Sequence, residues 1–223
     1  MSHKLQSYEL YLGALYGVLQ FFVLPYLAVL INYYVQLPVW ALNFSLFLLN
    51  FLCLCAICHR YLWENLKTAV SAPWRTLRYA GQGIVLYYSL SALVGMLILH
   101  FAPQFTNLND ESVSAMQTQG GFAMSFATVF LVPVAEETLF RGLLFRGLYD
   151  RSPVLSWLIS TVVFSLVHIA GYIGQYDPMM LLMAFRQYLP AGICLAYAHK
   201  KADTILSPIL MHIAINQVAL NLL

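Results

Sequence analysis

The chain has 223 residues, of which 61% are hydrophobic and only 9% charged, against about 25% charged in an ordinary soluble domain. This composition excludes a soluble globular protein and points to an integral membrane protein. Eleven Lys and Arg against nine Asp and Glu give a formal net charge of +2, too small a balance to mark a nucleic-acid partner, so the information lies in where the charges fall.

Apolar runs of about twenty residues, enough to cross roughly 30 Å of hydrocarbon as helix, occur at seven places. The first, Tyr8 to Tyr33, follows a start with one lysine and no small-residue cleavage site, so it reads as a retained span rather than a signal peptide. It is long enough to tilt or bend. The second, Pro38 to Cys58, ends in LCLCAIC, where Cys53, Cys55 and Cys58 read as packing residues in lipid rather than as a disulfide framework or metal pair. The connector HRYLWENLKTAVSAPWRTLRY then sets Arg60, Lys67, Arg75 and Arg78 against a single acid, and its Trp63, Trp74 and Tyr79 suit an element lying at the membrane interface.

A third run, Gly83 to Phe101, leads into PQFTNLNDESVSAMQTQGG, which has no Lys or Arg. The remaining runs are Gly121 to Tyr149, Val154 to Tyr172, Met179 to Ala198, which Arg186 and Pro190 interrupt, and Thr204 to Leu222. The expected fold is therefore all-α: a polytopic transmembrane helical bundle of about seven spans with an interfacial helix between spans two and three. Residues 1–120 form the N-terminal spans and connector, residues 121–223 the motif-bearing helices, within a single integral membrane domain. The positive-inside rule places the connector, Lys4, Arg146, Arg151, Lys200 and Lys201 on the inner side. This predicts a multi-pass protein of the cell membrane with a cytoplasmic N-terminus and the C-terminus outside.

Within the spans the ionisable residues are Glu136, Glu137, Arg141, His168, Arg186 and His212, joined by Asn216 as a polar group. A charge at mid-bilayer costs about 2.5 to 3.5 kcal/mol even on insertion scales, so such groups face protein or a wet cavity and commonly carry function. A helix-packing contact is the competing reading for any one of them. At 1.5 Å per residue, Glu136 and His168 lie about 20 and 21 Å from the inner end, Asn216 about 18 Å and His212 about 12 Å. Three helices thus bring these groups to overlapping depths. Glu137 and Arg141 are four residues apart in the favoured acid-first order, as are His212 and Asn216, while Phe164 can wall one side of His168 at the same spacing. A carboxylate and a histidine about a water form a general-base arrangement for amide hydrolysis, and a second His with Asn can donate to the developing oxyanion. A covalent nucleophile is poorly supplied: no GxSxG occurs, and Cys194 has only Tyr197 and His199 nearby in sequence.

The phrase LFRGL occurs twice, at 139–143 and 144–148. Five residues of α-helix turn by about 500°, so Arg141 and Arg146 should point about 140° apart, the first supporting the site and the second serving as an interfacial anchor whose loss costs little.

The strings EETLFR, FSLVH and HIAIN fit EExxxR, FxxxH and HxxxN, in that order, on successive late spans. This set resembles the CAAX protease and bacteriocin-processing family, also called the Abi family of intramembrane proteases, whose eukaryotic members are the type II CaaX prenyl endopeptidases. The resemblance covers about the last half of the chain, from Gly121 onward. It implies a helical membrane peptidase in which Glu136 and His168 activate water, His212 and Asn216 form the oxyanion site, and Glu137 and Arg141 support it. It also implies a membrane-bound peptide or protein substrate, lipidated in the eukaryotic case, and no nucleic acid. No cofactor is expected. One Glu and two His meet the ligand count of an open zinc site, but no HExxH occurs and the three come from different helices, so zinc is the minority alternative. Arg186 is open between binding a substrate carboxylate and pairing with Glu137. The rival functions are a bacteriocin-immunity or peptide-binding protein that does not cut, and a small transporter, for which inverted repeats would be expected beyond LFRGL.

Overall fold

The computed structural model describes residues 2–222, so Met1 and Leu223, at the ends of the two expected regions, lie outside the described residues. Every regular element among the described residues is helical, the arrangement that satisfies backbone N–H and C=O groups within each segment where lipid offers no hydrogen bonds.

The first apolar run is two helices, α1 (Ser7–Phe22) and α2 (Leu24–Val35), which meet at a 49° bend. Pro25 explains the break, because its ring clashes with the carbonyl four residues back while it sits comfortably in the first turn of α2. Next come α3 (Val39–Ile57), α4 (His59–Ser71) and α5 (Pro73–Phe101). The connector is thus a helix of its own, amphipathic, with Tyr61 and Asn65 buried one turn apart while Trp63 and Val70 are exposed. The third expected run begins ten residues earlier than its apolar stretch.

From α6 (Leu108–Phe126) the chain runs on through a π-helical segment (Ala127–Leu131), α7 (Val132–Glu137), a second π-helical segment (Thr138–Arg146) and α8 (Gly147–Tyr149). Gly121 kinks this run with φ 52° and ψ −134°, a conformation that favours glycine. The last helices are α9 (Pro153–Ala170), α10 (Pro178–Ala202) and α11 (Leu206–Leu222). Pro190 lies inside α10 without ending it. Among the described residues five helices are long and apolar enough to cross a bilayer, and the bent α1–α2 pair makes a sixth. The seventh apolar segment, α11, has 17 residues, about 25 Å of helix and slightly short of a full span.

Apolar surface gains nothing by leaving lipid for protein, so close backbone approach between small residues does much of the packing. Gly13 and Gly17, in the phrase GALYG on α1, meet the second π-helical segment: a Cβ on Gly13 would lie 2.5 Å from the Leu143 methyls, and one on Gly17 3.1 Å from a Leu139 methyl. Gly192 lets α10 press onto α9, where a Cβ would lie 3.0 Å from the Thr161 Cα.

One end of the bundle gathers the cationic loops. The Ser2 N–H donates to Asp203 at 2.8 Å, Lys4 pairs with Asp150 at 2.7 Å, and Arg75 donates to the Lys201 carbonyl at 3.3 Å. The fully buried Glu9 accepts the Tyr61 N–H at 2.8 Å, satisfying a donor in the first turn of α4 from the neighbouring helix α1.

Candidate active site

The two π-helical segments flank the carboxylate doublet, and such turns, bonding i to i+5, concentrate at functional sites. The shifted ladder takes help from side chains: the Ser160 hydroxyl donates to the Phe140 carbonyl at 3.1 Å, and the Thr138 hydroxyl to the Val134 carbonyl at 2.7 Å. Between them α7 turns Glu136 toward a cavity and Glu137 away from it.

Glu137 and Arg141 are both fully buried. One Glu137 oxygen accepts from Arg141 Nη1 at 3.2 Å and from His212 Nδ1 at 2.9 Å. Arg141 also donates from Nη2 to the Gly192 carbonyl at 3.3 Å, and its Cζ lies 4.5 Å from the Phe164 ring centroid. Two buried opposite charges with hydrogen bonds and an aromatic face are tolerable in a dry interior, whereas either alone is not.

His168 Nδ1 lies 2.8 Å from the Phe164 carbonyl. A carbonyl can only accept, so the proton is assigned to Nδ1 and Nε2 is the atom left to act. The ring is held between Phe164, at 4.4 Å between centroids, and Tyr188, at 4.3 Å and nearly parallel. His168 Nε2 stands 4.0 Å from Glu136 Oε2, and His212 Nε2 stands 3.9 Å from the same oxygen. These separations exceed a direct hydrogen bond. Glu136 Oε2 is buried and takes no hydrogen bond from any described residue. Asn216 donates from Nδ2 to the carbonyl of Thr128, in the first π-helical segment, at 2.9 Å.

Glu136, Phe164, His168, His212 and Asn216 all border one cavity of about 430 Å³, within the usual range of about 300 to 1,000 Å³ for ligand sites. Its other end is lined by Asn107, Asn109 and Asp110, and the Tyr188 hydroxyl donates to Asn107 Oδ1 at 3.2 Å. A smaller cavity of about 270 Å³, beside the α1–α2 bend and α3, reaches Glu136 from the other side.

Two sequence readings need correction. Arg186 is exposed, contacts the Met183 sulfur at 3.9 Å and is absent from the cavity wall. It does not pair with Glu137, whose partners are Arg141 and His212. Residues 187 and 188, one and two positions on, face the cavity instead, and each step turns the helix by about 100°. The second correction is Arg146, which is 3% exposed rather than a loose anchor. Its Nε donates to the His3 carbonyl at 2.6 Å and its Nη1 to Asp150 at 3.0 Å. Residues five apart in a π-helix come close to stacking, so the 140° separation expected of an α-helix does not apply between 141 and 146. The two arginines are both buried and differ in their partners.

Among the described residues no group of three His, Cys, Asp or Glu side chains is drawn together at metal-binding geometry. Sequence reading notes Tyr188 only as a mid-span neighbour of Arg186, with no role of its own, and misses the glycines of GALYG, whose small-xxx-small spacing was a usable signal.

Residues 118–218 match the family model described as type II CAAX prenyl endopeptidase Rce1-like, a little under half of the chain. No curated protein and no solved structure matches. The matched stretch contains the kinked helix from just before Gly121, both π-helical segments, and all three motif-bearing helices that surround the cavity. Over this segment the chain is similar to the type II CAAX prenyl endopeptidase Rce1-like family, and its long apolar helices are those of a multi-pass membrane protein.

Proposed function

We propose that the chain is an intramembrane endopeptidase in which Glu136 is the general base. The observation that carries this reading is the Glu136 Oε2 atom, buried and without a protein hydrogen bond, with two imidazole Nε2 atoms 3.9 and 4.0 Å away across the cavity. A water at this point is oriented by His168 Nε2 and gives a proton to Glu136 as its oxygen attacks the scissile carbonyl carbon. The C–N bond then breaks, Glu136 returns the proton to the leaving nitrogen, and the products are a carboxylate and an amine. His212, its Nδ1 proton held by the Glu137 carboxylate, acts as an oxyanion donor from Nε2 when doubly protonated. The second N–H of the Asn216 amide is the other donor. Each such donor is worth about 2.7 to 4 kcal/mol in measured cases. The reaction needs no metal.

The substrate is a membrane-associated peptide or protein. We also place the end that carries Arg75, Arg151 and Lys201 at the cytoplasmic face, which positive-inside logic and the convergence of the cationic loops both favour. The deciding experiment is turnover of membrane-anchored peptides in liposomes by wild type, Glu136→Ala and His168→Ala. Both variants should be inactive and folded. Equal processing by all three would rule out this mechanism, and capture of intact peptide by wild type would return the binding reading.

A further inference from the structure

The hydrolytic reading leaves the far end of the main cavity unused. There the start of α6 brings Asn107, Asn109 and Asp110 into the same space as Glu136 and the two histidines. The cavity wall contains no Lys or Arg, and its carboxylates are Asp110 and Glu136. Arg141 is buried behind the wall and committed to Glu137 and the Gly192 carbonyl, while Arg186 is turned outward. Asp110 is half-buried and has no ion-pair partner among the described residues. Its electrostatic neighbours include Tyr87, Tyr172 and Tyr188, which border the same cavity.

This end of the cavity is unsuited to an anion. The first N–H groups of α6 at Asn109 and Asp110 already donate to the Asn107 side chain, at 3.1 and 3.4 Å, so the helix terminus is capped. A carboxylate entering at this end would meet the Asp110 carboxylate in a low-dielectric space, with no Lys or Arg on the cavity wall to receive it. An ammonium or guanidinium would meet the opposite charge on Asp110 and the tyrosine side chains that border the same cavity, a combination of carboxylate and aromatic rings that suits cations.

We infer that the enzyme prefers substrates with a basic side chain within a few residues of the scissile bond, held by Asp110 among Tyr87, Tyr172 and Tyr188. It disfavours a free carboxylate at that place. This inference rests on the hydrolytic reading above and adds the substrate's charge to it.

The test uses the full chain in liposomes with membrane-anchored peptides, all N-acetylated and C-amidated. These differ only in carrying Lys, Gln or Glu at one of the four positions on either side of the cleaved bond. At one position kcat/KM should fall from Lys to Gln to Glu, by on the order of tenfold per step. Asp110→Asn should bring the Lys-to-Glu ratio at that position close to one, chiefly through KM. Cleavage indifferent to charge at every position, or a Lys preference that survives Asp110→Asn, overturns the inference while leaving the endopeptidase reading intact. Binding of the same peptides to Glu136→Gln reads the preference without turnover: tighter binding of the Lys peptide supports it, and equal binding overturns it even if no peptide is cleaved.

Discussion

Two groups of helices occupy the same bilayer-length scale and differ in what they bury. In the most apolar windows of α3 and α5, 6% of residues are buried, whereas the run from Asn109 to Tyr149, α9 and α10 bury 50%, 33% and 44%. Hydrophobicity does not explain the contrast, since α3 and α5 are the most apolar of these spans. Polar content does. Glu137, Arg141, Ser156, Ser160, His199 and His212 all sit in the later helices and are buried, because in lipid a polar group must find protein while an apolar one need not. The early helices serve as a lipid-facing frame, with contacts such as that of Gly13 and Leu143 where they meet the later ones.

The largest test of this division is at the base. Glu136→Gln should lower peptide turnover by about 10²- to 10⁴-fold with an unchanged melting temperature in detergent. A variant that keeps its rate would remove the site from the later helices altogether. Arg141→Ala comes next: it strands a fully buried Glu137 carboxylate and should cost about 3–5 kcal/mol of stability. Arg146→Ala, which leaves the half-exposed Asp150 and a backbone carbonyl behind, should cost about 1–3 kcal/mol. Equal losses at the two sites would show that partner burial does not tell them apart.

Glycines sharpen the same comparison. Gly192→Ala forces a Cβ to 3.0 Å from the Thr161 Cα and should destabilise by about 1–3 kcal/mol. Gly95→Ala on α5, with nothing within 4 Å, should leave thermal melts within about 0.5 kcal/mol of wild type. A chelator should leave turnover unchanged, and a loss of rate restored by zinc would reinstate the metal alternative. The smallest effect is in acid. Hydrogen bonds from Lys4 and then Arg146 hold the Asp150 carboxyl below its usual range. A depressed folded value means that the stabilisation is present above the usual carboxylate range and lost as pH falls through the folded value. Hydrogen exchange of residues 2–6 should therefore quicken on acidification, and Asp150→Asn should remove that dependence.

The runs of apolar residues made the helical architecture legible, because bilayer thickness sets a length that composition alone can meet. The ordered motifs likewise named five of the residues that border the cavity, Glu136, Phe164, His168, His212 and Asn216. What escaped were features made by backbone geometry. Nothing in TLFRGLLFR announces a π-helix, yet that segment decides where Arg146 points. The stretch from Pro103 to Gly120 read as a polar outer connector, although Asn107 followed by Asp110 and Glu111 is a helix-start pattern, and from Leu108 it is helix. Asp110 was overlooked for that reason: its reach into the cavity depends on the kink at Gly121 and on packing against α3. Arg186 erred the other way, since a charge in an apolar run signals burial or function only when its side of the helix is known.

The second π-helical segment makes the site sensitive to counting as well as to chemistry. Its nine residues, Thr138 to Arg146, carry the main chain from the carboxylate doublet to the elbow before α9. Removing one residue, such as the partly exposed Leu144, would change the bonding pattern of this segment and with it the rotation between the carboxylate doublet and the elbow before α9. Glu136 and His168 would then no longer face the same space, with every side chain of the three motifs still present. Conservative substitutions through this segment should be far better tolerated than a single deletion or insertion. In that sense the reading frame of the helix is a parameter of the proposed site, set by chain length between Glu137 and Asp150 rather than by any one residue within it.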